Sequence, residues 1–182
     1  MFRAPPGANR QRAAFTLLEL LAVISLLALL GGIVLGIGRN AVETGRSARA
    51  RTELAVCAAA LENYQRTLGD YPQTDDGAQL LQALIGRRSP RNAVIAVRCQ
   101  LDLARLTTAN ALDPVADSAA VLVDPWGRPY RYVYKVPPAG WSNSSYVLYS
   151  LGPDGRDDGA LLPGGFVDQS TPANADNLYA NR

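Results

Sequence analysis

The sequence predicts a mixed α+β fold, in which one long N-terminal α-helix packs on a small antiparallel β-sheet domain. An apolar run over residues 15–38 passes into a helical pattern that meets no proline until Pro72. The second half of the chain instead carries short segments rich in tyrosine and valine, separated by turn sequences. Helical periodicity first and strand-like alternation later are typical of this class.

Composition excludes several classes of function. The 182 residues carry a net charge of only +2, so a nucleic-acid partner is not expected. Histidine is absent, which removes the commonest general base and the commonest nitrogen ligand for metals. The chain has one lysine, no phosphate-binding Gly-Lys motif and no Cys-x-x-Cys pair. The sequence therefore predicts a protein that is not an enzyme.

Residues 1–14 form a short basic leader. Arg3, Arg10 and Arg12 are its charged side chains, and no acidic residue balances them. An arginine-bearing segment before an apolar run predicts a cytoplasmic N-terminus. The remainder of the chain would then face the periplasm.

The apolar run contains one strongly polar side chain, Glu19. A transmembrane helix needs about 20 apolar residues, and residues 15–38 meet that length. A charge within hydrocarbon costs about 3 kcal/mol on insertion scales, so Glu19 is a functional hypothesis and requires a partner. An ordinary secretory signal, cut near residues 36–38, leaves Glu19 unexplained, and so does a plain membrane anchor.

The stretch Ala14-Phe15-Thr16-Leu17-Leu18-Glu19 resembles the class III signal of type IV pilins and type II secretion pseudopilins. The resemblance implies cleavage between Ala14 and Phe15 by a prepilin peptidase, followed by N-methylation of Phe15. It also implies that Glu19 directs assembly, by pairing with the new amine of a neighbouring subunit. Ala14 departs from the family pattern, which usually has glycine before the cut.

The helix is predicted over residues 15–69, with a transmembrane part at about 15–38. Its second half is amphipathic: Leu54, Ala58 and Leu61 recur at helical spacing, and Cys57 and Tyr64 widen that face. The charged side chains of this half, Glu53 among them, are expected on other faces. Gly69 is the expected stop.

Residues 70–167 are predicted to form a periplasmic α+β domain. Thr74 reads as the N-cap of a short helix that ends at Gly86, and Asp75 and Asp76 are better explained by capping than by metal binding. Within residues 87–123, a helix over 92–106 and a strand beginning at Val94 both fit the pattern.

The end of the chain is expected to be a sheet followed by a tail. Residues 129–136 and 145–151 read as strands on either side of a loop at 137–144. Asp124-Pro125-Trp126-Gly127 reads as a turn before them. The tail, residues 168–182, is polar and predicted to be mobile.

Four motifs in order sharpen the resemblance. Tyr71-Pro72, Asp76-Gly77, Asp124-Pro125-Trp126-Gly127 and the run 150–155 (Ser-Leu-Gly-Pro-Asp-Gly) together resemble the major pseudopilin of type II secretion. The resemblance implies a lollipop architecture, with the helix packed on the globular domain. It implies as partners further copies of the chain, other pseudopilins, the prepilin peptidase and the inner-membrane assembly platform.

The same resemblance implies a calcium site in the last loop. The Leu151 carbonyl and the Asp154 carboxylate match the family's ligands, and Asp157 and Asp158 look like its later aspartate pair. Calcium binds six to eight oxygen ligands. The pair follows Gly155 sooner than in the family, so a solvated acidic turn is the alternative.

The predicted function is a structural subunit of a pseudopilus, which polymerises to drive protein export through the outer membrane. Alternatives are a minor pilin, a pilin of a type IV pilus or DNA-uptake system, and an anchored periplasmic binding module that does not polymerise. Cys57 and Cys99 are either one disulfide or two buried free thiols.

Overall fold

The computed structural model describes residues 16–135, 146–159, 161–162 and 165–180, and within them the side chains of 34–40, 161, 166 and 167 are left aside. Two α-helices are described, α1 (Leu17–Leu68) and α2 (Gly77–Leu84). The chain divides into two units, residues 1–41 and residues 42–182. The fold is α+β, as predicted.

The first unit contains the beginning of α1. All side chains described between Thr16 and Ile33 are exposed, including its long run of leucines. Among the described residues, no helix combines the length and the apolar character that crossing a membrane requires. The predicted transmembrane part, 15–38, extends at both ends into positions outside the described side chains.

The second unit begins with the remainder of α1, which packs on the domain through one face. Ala50, Leu54, Cys57, Leu61 and Tyr64 are buried along this face at three- and four-residue intervals. The buried stripe is therefore centred on Cys57 and Tyr64, and Ala58, expected on its axis, is only half-buried.

Glu53 lies on the buried face of α1, where only 3 % of the residue is exposed. The expectation that it occupies a solvated face is wrong. Its carboxylate accepts hydrogen bonds from Arg49 Nε at 2.7 Å and from the Tyr130 hydroxyl at 2.6 Å. Burial of a charged group is tolerated because both oxygens have donors.

Glycine ends both helices, as predicted. Gly69 follows α1 with φ +89°, and Gly86 follows α2 with φ +85°. Gly86 has a second reason to lack a side chain, because a Cβ there would overlap the carbonyl of Val97. These left-handed positions stop each helix and turn the chain back onto the core.

The N-cap of α2 is Asp76, whose carboxylate accepts a hydrogen bond from Ala78 N at 2.8 Å. Thr74, the predicted cap, instead accepts from Asp76 N at 3.0 Å and so supports the capping residue. The aspartate therefore has the capping role that was preferred over metal binding.

Seven short strands are found in the described part of the chain. They are β1 (Thr107–Thr108), β2 (Leu122–Val123), β3 (Arg131–Tyr134), β4 (Tyr146–Ser150), β5 (Leu161–Leu162), β6 (Phe166–Val167) and β7 (Leu178–Tyr179). They form three antiparallel sheets, β1-β2, β3-β4-β7 and β5-β6. Strands β3 and β4 lie within the two predicted strand segments, and the predicted loop at 137–144 lies outside the described residues.

Residues 87–123 form neither the helix over 92–106 nor a strand beginning at Val94. The chain makes an isolated bridge between Arg88 and Val94, then a single 3-10 turn at Leu103–Arg105, before β1. Its backbone bonds to the end of α2, for example from Gln100 N to Leu84 O at 2.9 Å. Hydrogen bonds to α2 determine the conformation of this segment, and no local sequence pattern predicts them.

The predicted mobile tail, as far as residue 180, is packed on the domain. Strand β7 pairs with β4 in the register Tyr149↔Tyr179 and Ser150↔Leu178. Asn174 is completely buried, and Asn177 is 5 % exposed. The prediction failed because the tail is held by polar contacts and by strand pairing, neither of which produces an apolar pattern.

Candidate functional site

The predicted processing site is only partly described. Ala14 and Phe15, the residues on either side of the predicted cut, lie outside the described residues. Glu19 is in the first turn of α1, where its backbone N–H donates to Thr16 Oγ1 at 3.2 Å. Its carboxylate is exposed and has no hydrogen-bond or ion-pair partner within the described ranges. A partner from another subunit therefore remains a prediction for this group.

The Asp-Pro-Trp-Gly turn is organised by Asp124, which is 2 % exposed. One carboxylate oxygen accepts from the backbone N–H groups of Trp126 at 3.0 Å and Arg128 at 2.9 Å. The other accepts from the Ser150 hydroxyl at 2.6 Å. The buried charge fixes the turn and ties it to the end of β4.

Trp126 connects this turn to α1. Its indole Nε1 donates to Glu43 Oε2 at 2.9 Å, while Glu43 Oε1 pairs with Arg46 at 3.1 Å. Both partners are in the second unit of the chain. A sequence motif that reads as a simple turn thus also anchors helix α1.

The Gly-Pro-Asp-Gly run, residues 152–155, is separated from the end of β4 by one residue and lies against Arg128. The guanidinium donates to the Gly152 carbonyl at 2.6 Å and, through both terminal nitrogens, to the Pro153 carbonyl at 3.4 Å. Gly155 has φ +67°, and a Cβ there would overlap the Arg128 guanidinium. The loop backbone is therefore shaped around an arginine of the preceding turn.

The side chains predicted as calcium ligands are used in other ways. Asp154 Oδ1 accepts from Arg156 N at 2.8 Å. Asp157 accepts from the Tyr149 hydroxyl at 2.8 Å and from Gly159 N at 3.0 Å. These bonds explain why both carboxylates are held close to the backbone of their own loop.

Asp158 is turned towards the tail. Its Oδ1 accepts from Asn174 Nδ2 at 2.6 Å, and its backbone N–H donates to Asn174 Oδ1 at 3.2 Å. Asn174 Nδ2 also donates to the Asp168 carbonyl at 2.7 Å. Sequence reasoning missed this buried asparagine.

Asp176 is the second residue that sequence reasoning missed. Its Oδ2 accepts from Asp154 N at 3.0 Å, and its backbone carbonyl lies where a Cβ on Gly152 would have to be. Its Oδ1, like Asn177 Oδ1, is buried and accepts no hydrogen bond. The only local signal for Asp176 was an acidic residue close to two asparagines, Asn174 and Asn177, in a polar tail.

As arranged here, the four predicted ligands do not fit a calcium ion. Within the described ranges, no three acidic, histidine or cysteine residues converge on a point where a metal could sit. The unengaged Asp176 Oδ1 exposes less than 1 Å² of surface, so an ion could reach it only after the loop repacked.

The two cysteines are free thiols and do not form the predicted bridge. Cys57 is buried, as the alternative expected, and burial, with Glu53 nearby, raises the pKa of its thiol to about 12. Cys99 is exposed, and its Sγ donates to the Leu101 carbonyl at 3.1 Å.

Comparison with known families gives two matches at different ends of the chain. Residues 9–35 match the prokaryotic N-terminal methylation motif, and residues 100–163 match the family of type II secretion system protein G. No solved structure matches the chain.

Two curated proteins are similar over most of their length. The chain is 27 % identical to the type II secretion system core protein G of Pseudomonas aeruginosa over 153 residues, which are 84 % of this chain and 91 % of that protein. It is 26 % identical to the protein of the same name from Vibrio cholerae over 150 residues, 82 % of this chain and 86 % of that protein. Together, the two family matches and the two relatives support a type II secretion pseudopilin.

The matched ranges divide the candidate residues of this chain into two groups. The methylation motif covers Ala14, Phe15 and Glu19, and the protein G match covers both turns and the acidic loop. The protein G match ends before Asn174 and Asp176. The residues that hold the acidic loop from the tail side therefore lie beyond it.

Proposed function

We propose that this chain is a structural subunit of a type II secretion pseudopilus, processed at its N-terminus and polymerised to drive protein export. One observation carries the proposal: a single chain combines the methylation motif at 9–35 with the protein G match at 100–163. A secretory signal or a plain anchor requires neither match. A structural role also agrees with a composition that lacks histidine and offers one lysine.

Processing is proposed to occur between Ala14 and Phe15, with N-methylation of Phe15. The basic leader stays in the cytoplasm, and the apolar run at 15–38 holds the chain in the inner membrane until assembly. The domain that follows is then periplasmic. The partners are further copies of the chain, other pseudopilins, the prepilin peptidase and an inner-membrane assembly platform.

Assembly is proposed to depend on the pairing of Glu19 with the amine of Phe15 on a neighbouring subunit. The support is that the Glu19 carboxylate has no partner in the described part of its own chain. An exposed carboxylate amid exposed leucines is costly once those leucines are covered by lipid or by other helices. An ammonium from the next subunit offsets that cost and sets the axial register of the subunits.

The deciding experiment is co-expression of the full chain with a prepilin peptidase, followed by intact-mass measurement and N-terminal mapping. The expected product begins at a methylated Phe15. An uncut Met1, or a first residue beyond position 38, contradicts the proposal and favours an anchored binding module or a secreted protein.

A second measurement separates processing from assembly. Glu19→Gln is expected to leave cleavage intact and to reduce fibre yield at least tenfold, because the neutral amide cannot pair with an ammonium. Glu62→Gln on the same helix is the matched control, since Glu62 already accepts from the Tyr71 hydroxyl at 2.9 Å. Equal fibre yields from the two variants would remove Glu19 from the assembly mechanism. Fibres that form without supporting secretion would favour a type IV pilin.

A further inference from the structure

The acidic loop, residues 152–159, is enclosed by two groups that come from outside it. One is the Arg128 guanidinium, which donates to the carbonyls of Gly152 and Pro153. The other is Asp176, which accepts from Asp154 N on the tail side. Backbone carbonyls are among the ligands that calcium takes, yet here the cation that they contact is a side chain.

The backbone of Arg128 is fixed by a hydrogen bond to a buried side chain. Its backbone N–H donates to the buried Asp124, which also accepts from Ser150 Oγ at 2.6 Å. Ser150 Oγ in turn accepts from Gly152 N at 3.2 Å. A continuous set of hydrogen bonds therefore links the backbone of Arg128 to the loop whose carbonyls its guanidinium binds.

The loop backbone leaves space for this guanidinium. Gly155 and Gly159 have nearly the same left-handed conformation, φ +67° and +65°. A Cβ on Gly155 would overlap the Arg128 guanidinium, whereas a Cβ on Gly159 would have nothing within 4 Å. The two glycines thus differ in what they face and not in the backbone angle.

We propose that the Arg128 guanidinium, together with Asp176, closes the acidic loop without a metal ion. The stability of the pseudopilin is then independent of calcium, in contrast to what the resemblance implies for the last loop of its family. This inference concerns the loop alone, and the proposed function in secretion does not depend on it.

The first test compares melting of the full chain in detergent micelles with calcium in excess and with chelator in excess. The unmodified chain is expected to melt at the same temperature in both. A higher melting temperature with calcium overturns the inference.

The second test removes the guanidinium. Arg128→Gln is expected to lower the melting temperature by about 4–8 °C, since the charge-assisted hydrogen bonds to the Gly152 and Pro153 carbonyls are lost. Arg156→Gln is the matched control, an exposed arginine of the same loop for which the described contacts include none by the side chain. Equal effects of the two substitutions would overturn the inference. If calcium restores the melting temperature of Arg128→Gln but does not change that of the unmodified chain, the inference is supported. The ion and the guanidinium would then be exchangeable in the loop.

The third test uses the matched glycines and has a readout besides stability. Gly155→Ala is expected to increase amide hydrogen exchange across residues 152–158 more than Gly159→Ala does, because only the first displaces Arg128. When Arg128→Gln is also present, Gly155→Ala should no longer increase amide exchange more than Gly159→Ala does. An excess that persists there would show that the guanidinium is not what the loop is shaped around.

Discussion

Helix α1 places two glutamates in opposite environments. Glu19 stands in an exposed apolar segment and has no partner among the described residues, whereas Glu53 is buried against the domain and is bonded to Arg49 and Tyr130. From the sequence, Glu19 was the conspicuous residue and Glu53 read as one of many surface charges. The difference teaches that a charge is recognised as unusual by its local neighbours, while its burial is decided by residues far along the chain.

The largest expected effect on stability separates the two glutamates when each is replaced by alanine. Glu53→Ala is expected to lower the free energy of unfolding by about 3 kcal/mol, because it leaves the buried Tyr130 hydroxyl without an acceptor and opens a cavity. Glu19→Ala is expected to change it by less than about 0.5 kcal/mol, since its side chain is exposed. Denaturant unfolding of both full-length variants in the same detergent measures the difference.

Similar losses of unfolding free energy in Glu53→Ala and Glu19→Ala would show that the two glutamates do not differ in this way.

A double-mutant cycle that combines Glu53→Ala with Tyr130→Phe tests the buried hydrogen bond directly. The Glu53–Tyr130 pair should show a coupling energy of about 1 kcal/mol or more, as groups within one hydrogen-bonded network do. Glu53 combined with Tyr134→Phe, whose hydroxyl bonds instead to Asp70, should show none.

The burial of the packed face in the second half of α1 can be tested at Cys57. Because burial raises the pKa of Cys57 to about 12, its thiolate is scarce at pH 8. Alkylation there is expected to be more than about 100-fold slower than at the exposed Cys99. Peptide mapping after a timed treatment of the native chain measures both rates, and denaturant should equalise them. Comparable rates in the native state would mean that this face of α1 opens readily.

The smallest expected effect concerns Asp70, just beyond the end of α1. Burial raises the pKa of Asp70, but hydrogen bonds from Tyr134, Tyr71 N and Gln73 and the charge of Lys135 outweigh it and leave the pKa below its usual value. A lowered pKa in the folded state means that the stabilisation is present above the unfolded pKa of about 4 and is lost as pH falls through the folded value. Asp70→Asn should therefore flatten the decline of stability below about pH 4.

Asp75→Asn is the control for that acid titration. Asp75 is exposed and has no hydrogen bond among the described contacts, so its substitution should leave the decline unchanged. Identical pH profiles for Asp70→Asn and the unmodified chain would show that the end of α1 gains nothing from this carboxylate.

Much of the fold was readable because it rests on local rules. Gly69 and Gly86 end the helices as glycines do. The tyrosine- and valine-rich composition of residues 129–136 predicted β3, and the alternation in residues 145–151 predicted β4. The basic leader and the single carboxylate of the apolar run predicted the family that the comparisons support. Each of these signals lies within a few residues of the feature that it predicts.

The errors share a different cause. Glu53, Asn174 and Asp176 are polar residues whose placement depends on partners at distant positions, so no local pattern distinguished them from solvated side chains. The tail was judged mobile because it lacks an apolar period, although its strand bonds to β4. Asp157 and Asp158 were expected beside Asp154 because they look like the family's later aspartate pair, whereas in the structure Asp154 N donates to Asp176.

The sequence by itself determined the fold class of this protein, the position of its helix and the methylation motif that the family comparison matches, because periodicity, charge and turn chemistry act over short distances. Only the tertiary structure decided which carboxylates are buried and that Arg128 enters the acidic loop. Hydrogen-bond satisfaction of buried charges is a long-range condition, met by whichever side chains the completed fold brings within about 3 Å.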